Sequence, residues 1–213
     1  MEIAILLYDN FTALDCIGPY EVLSRLPEAE LKFTALEKGE VRADSRVLGI
    51  SADYSIADVP APDILLIPGG PGDEEARKVP ALIDWVAKVH ETTKWTTSVC
   101  TGSLILAAAG VLKGLDATTH WASLEELRSL GANPTAERVV LRGKVVTAAG
   151  VSSGIDMALS LTAMECGEDY AKALQLGIEY DPQPPFDAGS PDKCPPELVA
   201  MVREAMGGGE AAA

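Results

Sequence analysis

Short apolar runs alternate along this chain with segments whose apolar residues recur every three or four positions, and that alternation narrows the possible folds more than any other feature. Ile3 to Tyr8, Leu31 to Leu36, Asp63 to Pro68, Trp95 to Cys100 and Val145 to Ala148 are brief and rich in aliphatic or β-branched side chains, as buried strands are. Between them Cys16, Tyr20, Leu23 and Leu26 keep helical spacing, with Pro19 fitting a first turn and Pro27 stopping the helix. Leu82, Trp85, Val86 and Val89 repeat the pattern. So do Trp121, Leu124, Leu127 and Leu130, after which Gly131 supplies a left-handed cap. Such β-α-β units predict an α/β three-layer sandwich: a mostly parallel central sheet with helices on both faces.

Gly39 to Ala61 breaks the rhythm and reads as a β-hairpin-like excursion. Ile155 to Ala163 predicts a buried helix and Ala171 to Ile178 another. Six prolines in the sixteen residues Asp181 to Pro196 exclude a helix there and predict an extended arm wrapped over the domain. Leu198 to Met206 closes as a final helix, leaving residues 207–213 as a flexible tail after one domain spanning 1–206.

Seventeen basic against 32 acidic side chains give a net charge of −15, which opposes nucleic acid and anionic membrane surfaces and favours a ligand that is neutral or cationic, or small enough that the global field matters little. Met1-Glu2-Ile3 opens into a strand with no basic leader, and the most apolar later stretch, Ser98 to Leu112, is broken by polar residues. The expectation is a cytoplasmic protein with no membrane segment. Cys16, Cys100, Cys166 and Cys194 lie far apart, with neither disulfide-framework nor zinc-ligand spacing. No metal or other cofactor is called for.

In open parallel sheets reacting groups gather beyond the carboxyl ends of the strands, where Asp15-Cys16, Gly69-Gly70 and Cys100-Thr101-Gly102 should meet. Cys100 ends a strand and begins a helix, so its sulfur stands on a sharp elbow where a helix N-terminus favours the thiolate; the competing reading is a small buried hydrophobe. Cys16 belongs to the packed face of its helix, and Cys166 and Cys194 read as structural or surface thiols. Asp15 either caps the first helix or exchanges a proton with Cys100. Gly69-Gly70-Pro71-Gly72 lacks a phosphate-loop lysine; it is either a plain turn or, through the amides of Gly70 and Thr101, an oxyanion-type donor set. His120 serves as a base for Cys100 or fills a polar niche at a helix start, and His90 is a surface residue.

The segments Leu14 to Leu23, Ile67-Pro68-Gly69-Gly70, Ser98 to Ser103 and Ala117-Thr118-Thr119-His120-Trp121, in this order, resemble the ThiJ/PfpI superfamily of class I glutamine-amidotransferase-like, flavodoxin-like fold. Many of its members place a glutamate beside the nucleophilic cysteine, whereas this chain has Asp15. That aspartate, the Cys-Thr-Gly elbow, and the later runs Gln175 to Tyr180 and Pro184 to Pro191 are similar to the isonitrile-hydrating branch. The resemblance implies a small-molecule isonitrile as substrate, Cys100 as nucleophile, Asp15 as acid and base, Thr101 beside them, His120 and Gly150 in supporting roles, and a homodimer. Glycine-bearing Ala148 to Gly154 further suggests that the helix after it shifts when the charge on Cys100 is discharged. The rival expectations are a glyoxalase or deglycase, the ligand-sensing domain of an AraC-type regulator, for which the chain after Met206 leaves no room for a DNA-binding helix pair, and a cysteine redox sensor.

Overall fold

The computed structural model describes residues 1–206; the tail foreseen at 207–213 lies outside them. Glu2–Leu6 (β1) leads into Ala13–Leu23 (α1), and Glu30–Ala35 (β2) is followed by the hairpin of Gly39–Arg42 (β3) and Gly49–Ala52 (β4) and by the short Tyr54–Ser55 (β5). Then come Ile64–Ile67 (β6), Asp73–Arg77 (α2), Pro80–Thr92 (α3), Trp95–Val99 (β7) and Gly102–Ala108 (α4). Asp116–Ala117 (β8), Leu124–Ser129 (α5), Asn133–Pro134 (β9), Val139–Arg142 (β10) and Val145–Ala148 (β11) precede Ser153–Cys166 (α6), Glu168–Gly177 (α7) and Pro196–Ala205 (α8).

Seven strands form the main sheet in the order β10-β11-β7-β6-β1-β2-β5, parallel throughout except for β10 against β11. From β2 to β11 this is the flavodoxin-like order, whose direction of winding reverses between β1 and β6. Helices α1, α6 and α7 pack together, while α4 packs against α2, α3 and α5, which gives the expected mostly parallel sheet with a helical layer on each side. Because both sheet faces are covered, β1 and β6 are apolar without alternation: Ile3 to Leu6 and Ile64 to Ile67 have no exposed surface. Each isoleucine and leucine among them contributes about 1.5–3 kcal/mol by leaving water.

The apolar stripe Leu82, Trp85, Val86 and Val89 is the buried face of α3, as its spacing predicts. The excursion after β2 is the β3–β4 hairpin. Two expectations need correction. Pro19 lies inside α1 rather than in its first turn, because the helix already begins at Ala13; lacking an N–H, Pro19 leaves the Asp15 carbonyl without its helical donor. Strand β10 was not foreseen. It is an antiparallel edge strand with one buried residue, Val140, so its apolar signal is too thin to read. The proline-rich arm runs extended apart from one 3-10 turn at Pro191–Lys193, and it leaves Phe186 exposed. Among the described residues no helix is long and apolar enough to cross a membrane.

Candidate active site

The reversal between β1 and β6 opens the sheet edge at which three loops converge. Cys100 follows β7 in a left-handed conformation, φ 55°, costly for a residue with a side chain and held here by hydrogen bonds at both its amide and its carbonyl. Its N–H donates to the carbonyls of Ala148 and Ala149 at 3.0 and 2.9 Å, and its carbonyl accepts from Thr119 Oγ1 at 3.0 Å and Ser103 Oγ at 3.1 Å. The elbow closes tightly over β6. A Cβ on Gly102 would lie 2.2 Å from the Ile67 carbonyl oxygen, and one on Gly69 would lie 2.5 Å from the Thr101 nitrogen.

Asp15, in the first turn of α1, is wholly buried; its Oδ2 accepts from Gly69 N at 2.9 Å. Its Oδ1 has no hydrogen-bond partner among the described residues, and the carboxyl interacts with the Cys100 thiol. Burial pushes the Asp15 carboxyl up from 3.8 to about 7, against the pull of the Gly69 amide and the Cys100 contact. Cys100 is also buried. Burial first, and the charge of Asp15 second, push its thiol above the ordinary value, opposed by hydrogen bonds from the backbone of Thr101 and Val151. The pair therefore holds at most one negative charge near neutrality. The helix-derived lowering expected for Cys100 is overridden, because α4 has only seven residues and the sulfur is almost sealed from water.

Gly70 does not serve as the expected oxyanion donor, since its N–H is engaged by Thr101 Oγ1 at 2.9 Å. Thr101 and Val151 instead are the amides that converge on the sulfur. The Thr101 hydroxyl also interacts with Asp73, which pairs with Arg77 at 2.9 Å, and Arg77 reaches Glu126 at 2.6 Å. His120 fills the polar niche: its Nδ1 accepts from Ala122 N at 3.3 Å, burial lowers its pKa, and no hydrogen bond among the described residues joins it to Cys100. Gly150 makes room for it, as a Cβ there would stand 2.9 Å from His120 Cδ2. Away from the elbow, His90 is half-buried rather than a surface residue, its Nδ1 2.8 Å from Thr96 Oγ1.

Three participants escaped the sequence reading. Tyr8 is buried, donates to the Pro68 carbonyl at 2.9 Å, and has its phenol pushed up by burial and then by Asp73, Asp15 and Cys100; its place at the end of the first apolar run was the available signal. Val151 contributes a backbone amide, which no residue type announces, and Thr119 a side-chain hydroxyl whose distant acceptor, the Cys100 carbonyl, only the fold reveals. Cys16 is buried in the core, Cys166 and Cys194 are half-buried, and all four thiols are free.

Beside the elbow lies a cleft of about 890 Å³, lined by Thr119, His120, Gly150 and Val151 from the loops around Cys100 and by Trp121, Ser190 and Arg203. Cys100 itself is 4% exposed and stands behind Val151 and Thr119 rather than in the cleft wall. Among the described residues no cluster of three or more His, Cys, Asp or Glu could hold a metal.

The chain is 39% identical over 204 residues to a Pseudomonas putida protein named isonitrile hydratase, covering 96% of this chain and 89% of that one. It is 28% identical over 150 residues to a deglycase of Thermococcus kodakarensis, covering 69% and 89%. A crystal structure described as a ThiJ/PfpI family protein from Pseudomonas syringae superposes with a TM-score of 0.93 at 36% identity, covering 97% of this chain and 86% of the other. Residues 1–164 match the DJ-1/PfpI family model, and they contain the elbow, the Gly69 loop and Asp15, so the chain belongs to the DJ-1/PfpI family.

Proposed function

We propose that this protein hydrates isonitriles to N-substituted formamides, with Cys100 as nucleophile and Asp15 as proton carrier. The observation that carries the reading is the buried Asp15–Cys100 pair, two acids in contact that can hold only one charge between them. Burial and the Asp15 charge hold the proton on the sulfur; the reactive form is reached when that proton passes to Asp15, with the amides of Thr101 and Val151 supporting the thiolate.

The terminal carbon of an isonitrile accepts a soft nucleophile, yet once attacked it carries electron density that needs a proton rather than an oxyanion hole. The sulfur forms the C–S bond while Asp15 delivers its proton to that carbon, giving a thioimidate and an Asp15 carboxylate. Water then adds to the same carbon and gives one proton back to Asp15. The C–S bond breaks, the second water proton ends on nitrogen, and the formamide leaves with the thiolate and the carboxylic acid restored. Asp15 is suited to both directions because its pKa of about 7 matches neutral pH.

Identity of 39% across 96% of the chain supports hydratase chemistry over the deglycase reading, whose relative aligns with 69%. The test follows the isonitrile infrared stretch of phenyl isocyanide with wild type and Cys100→Ala, beside a methylglyoxal assay. Loss of the stretch in wild type alone is the expected result. Faster methylglyoxal turnover, or full hydration by Cys100→Ala, ends the proposal.

A further inference from the structure

The proposed chemistry uses part of the cleft lining and leaves the rest without a role. Thr119 and Val151 meet the carbonyl and the sulfur of Cys100. The cleft is also lined by Trp121, Ser190, Asp192 and Arg203, the last three from the chain beyond the family-matched residues 1–164. At about 890 Å³ the space is far larger than an isonitrile group and lies in the range that encloses drug-sized molecules. The remainder of the substrate has to fill it.

Two guanidinium groups line this space, and they differ. Arg138 is already neutralised, with Nε 2.5 Å from Asp156 Oδ2 and Nη2 3.2 Å from Ser152 Oγ. Arg203 lies 5.0 Å over the Trp121 ring, gives one Nη1 bond to the Ala122 carbonyl at 3.4 Å, and has no carboxylate within ion-pairing distance among the described residues. Asp192 on the same rim is ionised, but its carboxylate is taken up by Ser190 and its own amide and feels the charge of Lys193. Stacking occupies the flat face of a guanidinium and leaves its N–H edges free; among the described residues only one of the five donors of Arg203 is used, and the fork of the others fits a carboxylate. In a chain of net charge −15, a guanidinium with no ion-pair partner among the described residues offers a bound anion a contact that the global charge does not.

We infer that Arg203, held on Trp121, is a specificity-determining residue that binds the carboxylate of an isonitrile whose reacting carbon lies on the Cys100 side of the cleft. The inference rests on the hydratase reading, which deepens from isonitriles in general to carboxylate-bearing ones small enough that the global charge matters little. Arg203→Met keeps the apolar stem over Trp121 and removes the charge, and Arg203→Lys keeps the charge without the fork.

The test measures kcat/KM for 4-isocyanobenzoate and 3-(4-isocyanophenyl)propanoate, each against its methyl ester, and by calorimetry the binding of the matching formamides, which needs no turnover. Wild type should prefer at least one acid over its ester by about tenfold, as a charge-assisted contact at a partly exposed site would give. That preference should collapse toward unity in Arg203→Met and survive in part in Arg203→Lys, with formamide binding weakened about tenfold by Arg203→Met. Ester hydration with an acid-to-ester ratio unmoved by Arg203→Met overturns the inference and leaves the hydratase reading standing. Formamide binding that depends on Arg203, without hydration of any isonitrile, removes the hydratase reading and keeps the anion site; binding indifferent to Arg203 removes the site.

Discussion

Replacing Asp15 by Asn tests whether burial controls this site. The carboxyl is raised from 3.8 to about 7 in the folded protein, with burial as the largest cause. A native state that holds this proton longer binds more protons than the unfolded chain between those two values, so stability is fully present below the unfolded pKa and is lost as pH rises toward 7. At about 1.4 kcal/mol per pH unit the interval amounts to roughly 4 kcal/mol, most of it between pH 4 and pH 8. The substituted carboxamide cannot ionise, yet its carbonyl still accepts from Gly69 N, so that penalty disappears while the packing is kept. Urea unfolding of both proteins at fixed ionic strength across that range should show the variant gaining about 3–4 kcal/mol over wild type as pH rises, with any pH-independent offset left aside. Turnover should fall about a hundredfold or more, because a positioned proton carrier is lost. A stability difference that stays flat with pH would refute the claim that burial raises this carboxyl, and with it the source of the proton.

If the pair must carry one negative charge to react, kcat/KM rises with pH through about 7, and the second proton leaves only above the ordinary thiol value because burial and the first charge both oppose it. A profile flat between pH 5.5 and 8.5 contradicts the shared charge. Gly102→Ala places a methyl group 2.2 Å from the Ile67 carbonyl oxygen, a backbone atom that cannot swing aside. It should cost about 3 kcal/mol or more and lower Tm by about 10 °C in a thermal melt; an unchanged Tm would show that the elbow tolerates a side chain.

Much of the architecture was readable because strand and helix leave periodic marks on consecutive residues. Ile64 to Ile67 are apolar without alternation because both sheet faces are covered, and Leu82, Trp85, Val86 and Val89 repeat because one face of α3 is. The elbow was readable too, since Cys100 stands between a strand pattern and a helix pattern and Gly102 follows it. Tertiary structure decided what depends on distance rather than succession. That Gly70 N–H is taken by Thr101, that Val151 supplies an amide to the sulfur, and that Arg203 lies over Trp121 are contacts between residues 31, 51 and 82 positions apart. A backbone amide is the same group in every non-proline residue, so only packing selects the one that acts. Burial is likewise collective: nothing local to Asp15 or Cys100 reveals that water is excluded around both, and that exclusion raises both pKa values.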